Sequence, residues 1–490
     1  MDKTLTDLII SLLFMGGLIA VIYFFRKQKF RISLGVILVL GLLLRVYLST
    51  DNHLHKWDER YHALVAKNLA DHPLKPTLFE HHVMPVKGDD WTGTHLWLSK
   101  PPVPLWTMAV SMKVFGANTW GVRMPSILFS TLAIFITFLL GKKLFGEQVA
   151  IVAAFLHAIN GLVIESAAGR VSSDHVETFF IIFVELAVYF VVLSIDLKKA
   201  GKWIFLAGVF TGLAFLSKWF PALIVWPIWL LAFVTSRHFS WKNLFIYGGL
   251  LVAGTTLIAL PWLIIVNGYG DDILMRVLFA FSETIQFHDH PRFYFFHQIM
   301  IIFGELIYIP IFLGIYLIAK KKSVNQLLLL LVWIVIPLIA FTLGETKRHT
   351  YILIAAPAFF LLVAYVANWM LVTYHKTKLR WVAFVVAFAL IALPIRYMTE
   401  RLKLFQASPE LSEFYQNKPQ WEDQFTQKDV VFGLQENIDL MFYTDVHAAY
   451  QYLPSQETVL RLQKEGFSVV IYSNGSFFTR KPLFLDVGSD

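Results

Sequence analysis

The chain has 490 residues, of which 57% are hydrophobic and only 16% charged. Soluble domains carry roughly 25% charged residues, so an ordinary water-soluble enzyme is excluded. Lys and Arg number 42 against 34 Asp and Glu, a net charge of +8; the basic residues gather between apolar runs, so the excess reports membrane topology and not a nucleic-acid partner. There is no cysteine, which removes disulfides, thiolate nucleophiles and Cys-ligated metals and leaves any metal to His, Asp or Glu.

In chain order, the first apolar run covers about residues 8–25. It is too long for a signal-peptide core and lacks a small-residue cleavage site, so it reads as a retained helix. The basic connection Phe25-Arg26-Lys27-Gln28-Lys29-Phe30-Arg31 follows. A second run covers about 32–48, and further runs fall near 121–141, 149–166, 175–195, 203–217, 219–235, 244–266, 293–319, 326–343, 350–373 and 381–396. These make about twelve membrane-spanning segments of the length a hydrocarbon core requires. Alternate connections carry Lys142-Lys143, Lys198-Lys199-Lys202, Arg237-Lys242, Lys320-Lys321-Lys322 and Lys376-Lys378-Arg380. Short basic loops stay inside, so both termini are expected outside.

The outer face then holds the long segment 51–120, a shorter one at 267–292, two turns near 170–174 and 345–350, and a tail from 397. In the first, Tyr61, Leu64, Val65 and Leu69 recur at helical spacing from Glu59 to Ala70, the pattern of an interfacial helix. Val103 to Phe115 behaves likewise. The tail alternates a strand at 430–432, a helix around 457–464 and a strand at 467–472, as in a small α/β module. The expected architecture is an all-α polytopic membrane protein with interfacial helices in its first outer loop. Its domains are 1–396, transmembrane and including the loop 51–120, and 397–490, a small extracytoplasmic α/β domain. Gly-rich phosphate loops are absent, which disfavours a nucleotide-hydrolysing transporter.

Several polar residues need an account. Trp57-Asp58-Glu59-Arg60-Tyr61 puts two carboxylates at a helix start, where they could serve the helix dipole or act as a general base or cation ligand. Lys100 precedes Pro101-Pro102, whose fixed backbone holds it in place. Gly169-Arg170-Val171-Ser172-Ser173-Asp174-His175 packs Arg170, Asp174 and His175 between apolar runs, where charge is costly and points to function. Lys218 interrupts the apolar stretch Gly212 to Pro221 and could simply snorkel. His288 and His290 flank Asp289 without the i, i+4 spacing of a strong zinc signature. Lys347, Arg348 and His349 lie on the outer side, against the positive-inside trend. Gathered together, Lys100, Arg170, Lys218, Arg292, Lys347 and Arg348 would suit phosphate or pyrophosphate, with Asp58 and Asp174 for proton transfer or cation binding.

The motifs Asp58-Glu59-Arg60-Tyr61, Lys100-Pro101-Pro102, Arg123-Met124-Pro125-Ser126, Leu140 to Gly146, Ser173-Asp174, Gly212 to Lys218, and Thr346-Lys347 with Tyr351-Ile352-Leu353 resemble, in this order, the family 39 glycosyltransferases. That group includes dolichyl-phosphate-mannose protein mannosyltransferases and lipid A aminoarabinose transferases, of the glycosyltransferase C superfamily. The similarity runs over roughly residues 40–373. It implies transfer of a sugar from a polyprenyl-phosphate carrier to a lipid, glycan or protein acceptor, on the extracytoplasmic face of a bacterial inner (plasma) membrane.

By motif match, Asp58 would be the catalytic carboxylate with Glu59 beside it, and Lys100 and Asp174 its active-site partners. Lys218 and Lys347 would contact the donor phosphate, with Arg348, Arg170 and Arg292 as further cations. A single base with no evident covalent nucleophile suggests inversion at the anomeric carbon. No cofactor is certain; a divalent metal ion is an open possibility, with Asp58, Asp174, His288 and His290 as candidate ligands. The chain departs from the family in an extra leading span, His349 where bacterial relatives commonly have Pro, and a shorter tail, which leaves acceptor choice open. The competing function is a transporter or flippase of an anionic lipid or solute, whose charges should lie near the bilayer midplane on broken, repeated helices.

Overall fold

The computed structural model describes residues 3–85, 92–171, 175–195, 200–236, 239–270, 273–275, 290–320, 324–406, 411–473 and 475–479. The chain divides into two compact units: 1–50, 100–104 and 125–406 form the first, and 51–99, 105–124 and 407–490 the second.

The helices of the chain up to the tail are α1 (Lys3–Arg26), α2 (Phe30–Leu48), α3 (Asp58–Asp71), α4 (Pro102–Phe115), α5 (Thr119–Phe145), α6 (Glu147–Ala158), α7 (Gly161–Ala167), α8 (Val176–Ser194), α9 (Ala200–Lys218), α10 (Val225–Val234), α11 (Trp241–Asn267), α12 (Tyr294–Phe303), α13 (Tyr308–Ala319), α14 (Val324–Leu343), α15 (Ala356–Tyr374) and α16 (Arg380–Leu402). Among the described residues nine helices are long and apolar enough to cross a membrane, and up to eleven if each bent pair counts as one span. The chain is an integral membrane protein.

Each expected apolar run appears as helix, but three depart from a straight span. The run at 149–166 is bent by 57° between α6 and α7, and that at 293–319 by 100° between α12 and α13. Asn160 caps α7, its side-chain oxygen accepting from the Val163 N–H at 3.1 Å, and the break at 304 carries Gly304 at φ 107. The run at 219–235 is a 3-10 turn, Phe220–Ile224, followed by the ten-residue α10, because Pro221 cannot donate to the preceding turn.

Within the first unit the span His349–Tyr374 is central, with 89% of its apolar window buried, while α1 has only 6% buried and presents its apolar side chains outward, as lipid allows. Ile37, Leu40, Leu44, Ile134, Ile151, Ile164, Met398 and Leu402 form one continuous core. Helices α9 and α11 meet at Gly208 and Gly254. A Cβ on Gly208 would collide with the Leu251 carbonyl, and one on Gly254 with that of Phe205, so small residues let the backbones approach.

The second unit contains a four-stranded sheet, β1 (Asp429–Phe432), β2 (Ala448–Tyr450), β3 (Ser468–Ser473) and β4 (Ser476–Thr479), in the order β2-β1-β3-β4. β1 runs parallel to both β2 and β3, and β4 is antiparallel to β3. Two helices accompany it, α17 (Asn437–Tyr443) and α18 (Gln456–Lys464). Residues 51–99 and 105–124 of the outer loop belong to the same compact unit as the tail from 407. The Lys67 ammonium donates to the carbonyls of Met441, Phe442 and Thr444 at 3.1, 3.0 and 2.9 Å, closing the C-terminal end of α17 where carbonyls lack helical partners. Sequence periodicity cannot show such a contact across almost four hundred residues.

Candidate functional site

In the second unit, α3 begins at Asp58. Its apolar stripe of Tyr61, Leu64, Val65 and Leu69 is buried as expected, and His62, Ala63, Ala66 and Asn68 are buried too. Glu59 is fully buried. Its Oε1 accepts from Arg123 Nε at 2.7 Å and its Oε2 from Arg123 Nη2 at 3.1 Å, a two-pronged pair with neither side chain exposed. The remaining Arg123 donors reach the carbonyls of Asp51 at 2.6 Å and His53 at 2.7 Å. His55 stands beside this pair, with Nδ1 at 2.7 Å from Glu59 and Nε2 at 3.0 Å from Asp51. Burial alone would lower the His55 pKa, but the Glu59 and Asp51 carboxylates outweigh it and raise the imidazole above its ordinary value.

Arg60 turns the other way, with Nη1 at 3.6 Å from Asp439 on α17. Burial raises the Asp439 carboxyl to about 6 despite the Tyr415 hydroxyl, which donates to it at 2.5 Å, and the Arg60 charge. Asp58 itself is half-buried. It follows Trp57, whose backbone has φ 75 and ψ −132, a region that only glycine enters without strain.

In the first unit Lys218 ends α9 and pairs with Glu177 in the first turn of α8. Its ammonium lies 4.6 Å from the ring centroid of Tyr351 and 5.7 Å from that of Phe180. The charges of Lys100 and Arg348 also reach it. Lys218 thus pairs with one buried carboxylate, Glu177, and has two other cations, Lys100 and Arg348, near enough to act on it. Trp219, next to Lys218, repeats the strained backbone of Trp57, at φ 58 and ψ −140.

Arg170 belongs to a second basic group. It faces Glu165, which pairs with Arg401 at 2.9 Å and also feels Lys403. Lys347 is buried, at 8% exposure. Arg292 is exposed, and His290 stacks on Tyr294 at 4.2 Å between centroids. Asp174 and His288 lie outside the described residues. Sequence reading missed Glu177, Glu165, Arg401 and Arg123 as partners; Glu177 and Glu165 are acidic residues inside apolar runs, which is the signal that could have found them.

A metal would need a different donor set from the one present around α3. Asp51, His53 and His55 offer ligand atoms within 4.8 Å of one another, but both His55 nitrogens already face carboxylates, so the imidazole fits a protonated link between Asp51 and Glu59 and not a neutral metal ligand.

Residues 99–265 match the family model described as dolichyl-phosphate-mannose-protein mannosyltransferase. An undecaprenyl phosphate-alpha-4-amino-4-deoxy-L-arabinose arabinosyl transferase 2 of Pseudomonas fluorescens is 26% identical over 345 residues, covering 64% of this chain and 56% of that protein. A transferase of the same activity name from Pseudomonas aeruginosa is 26% identical over 282 residues, 54% of this chain and 50% of its own length. The chain thus spans about half the length of these relatives. ArnT from Cupriavidus metallidurans bound to undecaprenyl phosphate superposes with a TM-score of 0.64 at 15% identity, over 89% of this chain and 92% of that one. The oligosaccharyltransferase AglB of Archaeoglobus fulgidus, in complex with an inhibitory peptide and a dolichol-phosphate, superposes at 0.58 with 15% identity, over 91% and 69%. The resemblance read from the motifs holds: the chain is similar to the family 39 glycosyltransferases in sequence and has the fold of the glycosyltransferase C membrane enzymes.

Proposed function

We propose that the protein is a membrane glycosyltransferase that moves a pentose or hexose from a polyprenyl-phosphate donor to a lipid, glycan or protein acceptor. The reading places it in a bacterial inner membrane with its active site on the extracytoplasmic face. The observation that carries it is the buried pair Lys218–Glu177 at the end of α9, with the charges of Lys100 and Arg348 near enough to act on Lys218, a net positive group. Such a cost is borne where an anionic partner binds. As the bond between the anomeric carbon and the phosphate oxygen breaks, its electron pair stays on the prenyl phosphate, and preorganised cations in a site of low dielectric stabilise that charge without reorganising. Asp58 takes the proton of the attacking hydroxyl, and one displacement inverts the anomeric centre. Lys347, Arg170 and Arg292 are assigned as further donor-side cations, and Asp174 as the second carboxylate of the site.

The transporter reading has no counterpart in the relatives or neighbours, which carry transferase names. A divalent ion held by Asp58 with Asp174 would be the alternative means of charge stabilisation. A chelator separates the two, since transfer through Lys and Arg alone survives it.

The test is binding of undecaprenyl phosphate to the purified full chain, with mass spectrometry of surface lipids, glycans and proteins from cells with and without the gene. Lys218→Met and Lys347→Met should each weaken binding by about tenfold or more while leaving membrane insertion intact. Unchanged binding in both would assign these lysines to snorkelling and overturn the donor site.

A further inference from the structure

The partner of Lys218 is itself unusual. Glu177 is fully buried, and while one oxygen faces the Lys218 ammonium, the other, Oε2, has no hydrogen-bond partner among the described residues. A buried carboxylate retained only for fold stability would be expected to satisfy both oxygens, because an unmatched charged acceptor is costly. Glu177 also sits in the first turn of α8, where the helix N-terminus favours negative charge. Lys218 has a place to move within: its ammonium lies over the Tyr351 and Phe180 rings, whose faces attract a cation without fixing it to one atom.

We propose that Glu177 is a positioning counter-ion that competes with the lipid phosphate for Lys218 and thereby drives release of the spent carrier. This rests on Lys218 being a donor-phosphate contact. The donor is a phosphodiester with one negative charge, whereas the carrier left after transfer is a phosphomonoester with a charge of about −1.5 to −2 at neutral pH. A site of cations alone would hold that product more tightly than the donor and stall. A fixed carboxylate at the same ammonium repels both lipids, and repels the doubly charged product more. Glu177 thus spends some donor affinity to keep turnover going.

The test uses the full chain in lipid nanodiscs and undecaprenyl phosphate as probe, with equilibrium affinity and dissociation rate measured for wild type, Glu177→Gln and Glu177→Asp. Removing one like charge at close range should tighten binding by about tenfold and slow dissociation correspondingly in Glu177→Gln. Glu177→Asp, which keeps the charge but withdraws it by one methylene, should fall between. It also serves as the reading variant if Glu177→Gln does not fold. A merely structural Glu177 moves the result the other way, because a misplaced Lys218 binds phosphate worse, so equal or weaker binding in the folded variant overturns the proposal. Failure of wild type to bind the probe at all would instead overturn the donor-phosphate reading of Lys218.

Discussion

Glu59→Gln separates the structural carboxylate of α3 from the chemical one. Gln is nearly isosteric and can still accept one hydrogen bond, but it leaves the Arg123 guanidinium, with no exposed surface, facing a neutral partner. Breaking a buried pair by removing one partner costs about 3 to 5 kcal/mol. The Asp51 and His53 carbonyls that remain on Arg123 place the expectation at the lower end, about 3 kcal/mol. For a unit of this size that corresponds to a fall of about 6 to 12 °C in melting temperature. The assay is thermal unfolding of the purified protein in detergent, with limited proteolysis to show that the second unit opens first. Activity per folded molecule, measured below the transition, should fall much less than stability. A Glu59→Gln protein that melts with wild type but has lost turnover would refute the assignment of Glu59 to holding α3 in place and return it to the chemistry.

Asp58→Asn should give the reverse pattern, turnover reduced by about 100- to 10,000-fold for a lost general base with melting unchanged; wild-type turnover would transfer the role to Asp174. The second unit should be less stable at alkaline pH. Because the folded His55 pKa lies above the ordinary 6.5, its contribution is complete below that value and is lost as pH rises through the folded value, so melting should drop as pH is raised above about 6.5. His55→Gln should flatten this slope, and an equal slope in that variant would assign it to another group. Trp57→Gly relieves a backbone conformation worth about 1 to 3 kcal/mol of strain at a residue 69% exposed, so it should raise melting slightly while lowering turnover through a looser Asp58; reduced stability would show that the indole, not the backbone, matters.

The spans were legible because lipid demands long apolar helices with internally satisfied backbones, and their pattern survives in any window of sequence. The bends were not: the break at 304 follows from Gly304 at positive φ, and a lone Gly inside an apolar run is equally common in a straight helix. The outer loop showed its helix from Glu59 to Ala70 through periodicity, but periodicity says nothing of Lys67, whose three carbonyl partners belong to residues 441–444. At the site, residue type and unusual placement marked Lys100, Lys218 and Arg348. Glu177, the partner of Lys218, is a carboxylate within an apolar run, but nothing in the sequence shows that it pairs with a lysine 41 residues further on.

The run Asp58-Glu59-Arg60 shows how adjacent residues divide labour. Consecutive side chains on a helix point about 100° apart, so three in a row cannot share one target. Glu59 is tied to Arg123 near the start of α5, and Arg60 to Asp439 on α17. Two anchors on different sides of α3 fix its rotation about its own axis as well as its position, and the direction of Asp58, which heads the same turn, is thereby set. The strained Trp57 just before it is the mark of a chain held where its local preference would not put it. On this argument the tail segment 437–443, far from Asp58 in sequence, is a part of what aims Asp58, the proposed base.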